Sequence, residues 1–173
     1  NIFKEHIKLA VEVDKPLMLH VRPKENNDAY LDAIEILKEK KEKYGDKLRG
    51  NFHFFVGDKH IAQEILDLET FTMSFPGVIT FAKEYEEVVK FVPLDMMHAE
   101  TDSPYVSPVP NRGKRNSPLN VKYIIEKDLL GTSLRDLSKE NLFQLKQKGF
   151  SDRRLATLLK VKQEDVRNYR HKH

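Results

Sequence analysis

The chain has 173 residues, 39% of them apolar and 33% charged, which is enough for one core or one core with a small appendage. It contains no cysteine, which excludes disulfides and thiolate metal sites and leaves histidine and carboxylate as the strong metal ligands. The net charge of +3 is unevenly spread: residues 1–127 carry 19 Lys+Arg against 21 Asp+Glu, and residues 128–173 carry 11 against 6. No run of 18 apolar residues is present and no charged-then-apolar leader is visible, so the expectation is a cytoplasmic protein with no membrane partner. The chain begins at Asn1 within a helical pattern, and on that ground it reads as a fragment.

In chain order, Ile2, Phe3, Ile7, Ala10 and Val11 recur at helical spacing until Pro16, which opens the apolar run "PLMLHV". Short continuous runs of this kind mark buried parallel strands. A helix with Ala29, Ala33, Ile36 and Leu37 on one face stops near Gly45, and "RGNFHFFVG" follows as a strand closed by Gly57. Next come a helix with Ile61, Ala62, Ile65 and Leu66, the strand "FTMSF", a helix from about Phe81 to Phe91, and the strand "LDMMHAE". Four strand–helix units in alternation predict a parallel α/β sheet or barrel. After the proline-broken stretch 104–118 the texture changes, and from Leu137 three short helices are expected, with Ser151 as a cap and Gly149 as a break. The predicted organisation is an α/β part over 1–127, a junction over 128–136 and an all-helical module over 137–173.

His20, His53 and Asp102 each fall in the C-terminal half or at the end of a predicted strand, where parallel α/β folds build their sites. Adjacent strands lie about 4.8 Å apart, so a histidine from each of two neighbours can share one ion. The competing reading is a hydrogen-bonded core histidine and an ordinary Thr-Asp-Ser-Pro turn. Arg112, Lys114 and Arg115 around Gly113 suit phosphate oxygens, against a solvated basic turn. Glu100 and Arg22 add polar groups beside these positions, as orienting or substrate-holding groups or as a plain ion pair.

Together, "KPLMLHVRP", "GNFHFFVG", "MSFPGVITF" and "AETDSPYVSPVPNRGKRNSP" resemble, in order, four motifs of the TatD family of metal-dependent deoxyribonucleases, over about Ile2 to Lys127. The resemblance implies a distorted TIM barrel, of which this chain supplies the last four β/α units. It implies divalent metal ions, Mg, Mn or Zn and up to two in the complete site. His20, His53 and Asp102 would be ligands, Asp102 and Glu100 the catalytic carboxylates, and Arg22, Arg112, Lys114 and Arg115 the substrate-binding groups. The implied reaction is hydrolysis of phosphodiester bonds in DNA, as an exonuclease. The family's first-strand His-x-His and its bridging Glu have no counterpart before His20, which leaves the expected two-metal centre incomplete. A half barrel would expose strand edges, so self-association is expected.

The tail "LSKENLFQLKQKGFSDRRLATLLKVKQEDVRNYRHKH" resembles instead the oligomerisation region of the carbamoyl phosphate synthetase large subunit, over about Leu137 to His173. A different reading makes it a helix-turn-helix, with Leu155, Leu158, Leu159, Val161 and Val166 packing two helices and Arg167, Arg170 and Lys172 facing phosphates. On that alternative the chain is a non-catalytic nucleic-acid-binding or assembly protein.

Overall fold

The computed structural model of the chain describes residues 2–23, 28–128, 133–147 and 149–172. Its contacts divide into two compact units, Asn1–Ile124 and Ile125–His173. Among the described residues, no helix is long and apolar enough to cross a membrane.

The first unit is a parallel sheet in the order β1-β2-β3-β4. Its strands are β1 (Leu17–His20), β2 (Gly50–His53), β3 (Phe71–Phe75) and β4 (Met97–Ala99). They alternate with helices α1 (Ile2–Glu12), α2 (Asp28–Tyr44), α3 (Lys59–Leu66) and α4 (Glu86–Phe91), and α5 (Val121–Asp128) follows a loop. The register explains why the sheet has one apolar and one polar face. Leu19 pairs with Phe52, Phe52 with Met73 and Met73 with Met97, giving one row that crosses all four strands. These four are buried with Ile7, Ile34, Leu37, Ile65 and Ile124 in the core, where each large side chain is worth about 1.5–3 kcal/mol. A strand's side chains alternate between faces. The neighbouring positions therefore point the other way: Met18, His20, Asn51, His53, Thr72, Ser74 and His98. Met18 is 75% exposed there.

Three of the four strands are shorter than their sequence patterns suggest, while β3 spans the whole of the expected run Phe71–Phe75. β2 ends at His53 because Phe54 takes φ 52°, a left-handed conformation that turns the chain off the sheet. β4 is confined to Met97–Ala99, with Leu94–Met96 in a 3-10 turn. The helix expected over Phe81–Phe91 forms only from Glu86. Residues Gly77–Thr80 and Lys83–Tyr85 are separate 3-10 turns, and Ala82 between them is extended. Tertiary contacts account for the loss: Thr80 Oγ1 donates to the Gly77 carbonyl and accepts from the Val109 amide, and the Phe81 ring carries Arg112.

The second unit contains α6 (Lys139–Gln147), α7 (Asp152–Leu159) and α8 (Gln163–Lys172). Leu142, Leu145, Phe150, Leu155, Ala156, Leu159 and Val166 are buried. Ser151 caps α7 by accepting from the Arg154 amide at 3.1 Å. Lys160 ends the helix with φ 54°, a conformation that glycine adopts at lower cost. The basic residues expected to face phosphates, Arg167, Arg170 and Lys172, are all exposed, and Arg170 is also paired with Asp152 at 3.3 Å. The junction residues Leu129–Thr132 and the terminal His173 lie outside the described residues.

Candidate active site

The polar face of the sheet brings three of the expected residues to its C-terminal edge. His20 and His53 occupy the same register position on β1 and β2, and their ring centroids are 5.5 Å apart. Glu100, just past β4, reaches across to β2. Its Oε2 lies 2.5 Å from His53 Nδ1, and its Oε1 accepts from the Phe54 amide at 2.7 Å. That second bond uses the amide of the residue whose φ turns the chain at the end of β2. Ser74, buried on β3, also donates to Glu100 Oε2 at 2.5 Å.

A carboxylate has no proton to give, so His53 Nδ1 carries the hydrogen in this contact. The other ring nitrogen, Nε2, is aimed at Asp102, 3.3 Å from Oδ1. Asp102 is held in a left-handed conformation, φ 53°, within the turn closed by the Tyr105 amide donating to the Asp102 carbonyl. His53 thus lies between two carboxylates, Glu100 at Nδ1 and Asp102 opposite Nε2. Their side chains are 16% and 32% exposed, so Asp102 is the more open to solvent.

Among the described residues, no group of three or more His, Asp or Glu side chains closes around a common point. The donor chemistry and the spacing of one pair nevertheless fit a divalent ion. Two ligands at about 2.1 Å on a tetrahedral ion stand roughly 3.4 Å apart, and Nε2 and Oδ1 are separated by 3.3 Å. A histidine whose other nitrogen donates to a carboxylate is the usual arrangement behind a metal ligand. The described residues fit part of a coordination shell, and the His20 ring lies beside that of His53.

The basic residues are all exposed but differ in what they touch. Arg112 is exposed on the loop, with its guanidinium 3.9 Å from the Phe81 ring centroid and Nη1 donating to the Ser107 carbonyl at 3.1 Å. One of its donors thus ties the loop to itself. Lys114 and Arg115 are exposed on the same loop, and Arg22 is exposed two residues past His20. The sequence reading missed Ser74 and Asn116. Ser74 is a polar residue within the apolar run "FTMSF", and that interruption is the signal that could have exposed it. Asn116 stands among ordinary loop residues and carries no such mark.

Imidazoles and carboxylates gathered at the carboxyl edge of a parallel sheet define an α/β protein of the class that builds its site from strand ends and the loops after them. The model of the TatD related DNase family matches residues 1–144, and the chain belongs to that family. It is 40% identical over 141 residues to an uncharacterized metal-dependent hydrolase of Buchnera aphidicola subsp. Baizongia pistaciae, covering 80% of this chain and 49% of that protein. It is 37% identical over 152 residues to the uncharacterized metal-dependent hydrolase YabD of Bacillus subtilis, covering 84% and 56%. The chain therefore spans about half the length of the curated relatives it matches. The crystal structure of YJJV, a TatD homologue from Escherichia coli K12, has the same fold, with a TM-score of 0.60 at 19% identity over 98% of this chain and 52% of that one. A TatD family hydrolase from Entamoeba histolytica gives 0.57 at 16% identity, covering 98% and 53%. The model of the carbamoyl-phosphate synthetase large chain oligomerisation domain matches residues 120–173, a smaller stretch that overlaps the first match.

Proposed function

We propose that this chain carries part of the active site of a metal-dependent hydrolase that cleaves phosphodiester bonds in DNA, as an exonuclease on the expectation drawn from the sequence. The observation that carries the reading is His53, held by Glu100 at Nδ1 and facing Asp102 from Nε2. Membership of the TatD related DNase family and the names of the relatives support it. In this reading His20, His53 and Asp102 hold a divalent ion, Mg, Mn or Zn, and Glu100 keeps the His53 ring in the tautomer that leaves Nε2 free. Such an ion, when bound, lowers the pKa of water and offsets charge on phosphate oxygens. Arg22, Arg112, Lys114 and Arg115 bind the substrate backbone as exposed cations, and Arg112 also ties the loop that presents three of them. The four β/α units would form one side of a barrel completed in longer relatives.

The test is Mn²⁺ binding by the full chain, beside hydrolysis of bis(p-nitrophenyl) phosphate and single-stranded DNA with and without EDTA. Binding that weakens in His53→Ala and Asp102→Asn, with any cleavage abolished by EDTA, supports the proposal. Equal Mn²⁺ affinity in wild type and both variants overturns it.

A second reading, assembly through the helical unit, draws on the match over residues 120–173 to an oligomerisation domain. Light scattering of the full chain across a concentration series checks it: a monomer at every concentration removes this reading and also the expected self-association through strand edges.

A further inference from the structure

The loop from Thr101 to Asn116 contains no helix or strand, yet it must hold Asp102 at φ 53°. A residue with a Cβ pays roughly 1–2 kcal/mol for that conformation, so it persists only where surrounding contacts fix it. The contacts converge on one side chain, Asn116, which is 4% exposed. Its Nδ2 donates to the Thr101 carbonyl at 2.6 Å and to the Tyr105 carbonyl at 2.6 Å, with the Val106 carbonyl at 3.3 Å. Its Oδ1 accepts from the Ser117 amide at 2.8 Å and from Asn120 Nδ2 at 2.8 Å. Its backbone amide donates to the Pro104 carbonyl, and its carbonyl accepts from Ser103 Oγ at 3.2 Å.

The residues bonded to Asn116 bracket Asp102 on both sides: Thr101 before it, and Ser103, Pro104 and Tyr105 after it. Both amide hydrogens go to carbonyls of that turn, so the bonds fix the path of the backbone through Asp102. Only a side chain with two donors and an acceptor in one plane serves both sets of partners. An aspartate of the same shape would set a carboxylate against the Thr101 and Tyr105 carbonyls. We propose that Asn116 is a positioning residue: its amide sets the turn that keeps Asp102 Oδ1 opposite His53 Nε2, and through it the affinity for a divalent cation. The inference rests on the reading of Asp102 as a metal ligand.

Mn²⁺ titration of the full chain, followed by electron paramagnetic resonance, tests it with the variants Asn116→Asp, Asn120→Ala, Asp102→Asn and the double Asn116→Asp/Asp102→Asn, each beside its metal-free melting temperature. Changes to groups that orient a ligand typically weaken binding by 10–100-fold. Asn116→Asp is expected to weaken Mn²⁺ binding about tenfold, and Asn120→Ala, which frees the amide oxygen from one partner, to weaken it less. The double variant should bind no more weakly than Asp102→Asn alone, because the two residues act through the same carboxylate. If Asn116→Asp fails to fold, Asn120→Ala decides the matter. A residue that only stabilises the loop would lower the melting temperature and leave Mn²⁺ affinity unchanged, and that result, or additive losses in the double variant, overturns the inference while sparing the metal reading. Unchanged affinity in Asp102→Asn overturns both.

Discussion

Replacing Glu100 by glutamine changes almost no volume but reverses a pattern of donors. Glu100 accepts three bonds, from the Phe54 amide at 2.7 Å, His53 Nδ1 at 2.5 Å and Ser74 Oγ at 2.5 Å. An amide has one oxygen to offer. If that oxygen keeps the half-buried Phe54 amide, its NH₂ faces Ser74 and His53, and His53 Nδ1 must then accept. The ring proton moves to Nε2, where Asp102 Oδ1 waits at 3.3 Å. Ser74 adapts at low cost, since its hydroxyl also lies 2.9 Å from Asn51 Oδ1. A bond to a charged group is worth about 1.5–3 kcal/mol and a neutral one about 0.5–1.5, so a loss of roughly 2 kcal/mol in stability is expected. The larger effect is on Nε2. Once protonated it cannot ligate, and Mn²⁺ affinity should fall about 10–100-fold. Nitrogen-15 NMR of the histidine ring reads the tautomer directly, with urea unfolding and Mn²⁺ titration beside it. A His53 that keeps its proton on Nδ1 in Glu100→Gln, with wild-type metal affinity, would refute the reasoning.

Three further outcomes are expected. A Cβ on Gly77 would stand 2.3 Å from the Val106 carbonyl and 3.0 Å from the Pro108 nitrogen, so Gly77→Ala should push the loop after β4 away. It should cost about 1–3 kcal/mol in urea unfolding and speed proteolysis between residues 101 and 118. Tyr30 is 1% exposed and its Oη accepts from the Val56 amide at 3.1 Å; Tyr30→Phe leaves that amide unpaired, with an expected loss of about 1–3 kcal/mol and no change in Mn²⁺ affinity. In the helical unit, the bond from Lys146 Nζ at 2.8 Å, followed by that from Arg170, holds the Asp152 carboxyl below its ordinary value of 3.8. The folded value being the lower one, this stabilisation is complete above the ordinary carboxylate range and disappears as pH falls through the lowered value. Asp152→Asn should remove that acid dependence and cost about 0.5–1 kcal/mol near neutrality, read from urea midpoints on both sides of the transition.

The order of strands and helices is written in the sequence, because apolar runs and helical spacing are local properties. The positions of His20, His53, Glu100 and Asp102 at strand ends were legible for the same reason, and the run "ETDSP" marked the loop that carries the last of them. Tertiary structure alone decided which groups meet. Glu100 lies 47 residues from His53 and 26 from Ser74, and they meet because the register of parallel strands sets them on one face of the sheet. The same holds for Arg112, whose guanidinium the fold sets over the Phe81 ring, and for Phe81–Tyr85, where contacts with the loop overrode a helical pattern. Periodicity fixes which face a residue takes within its own strand, but a hydrogen bond also needs a partner at about 3 Å, and that partner is set by crossovers and turns whose geometry no local pattern encodes.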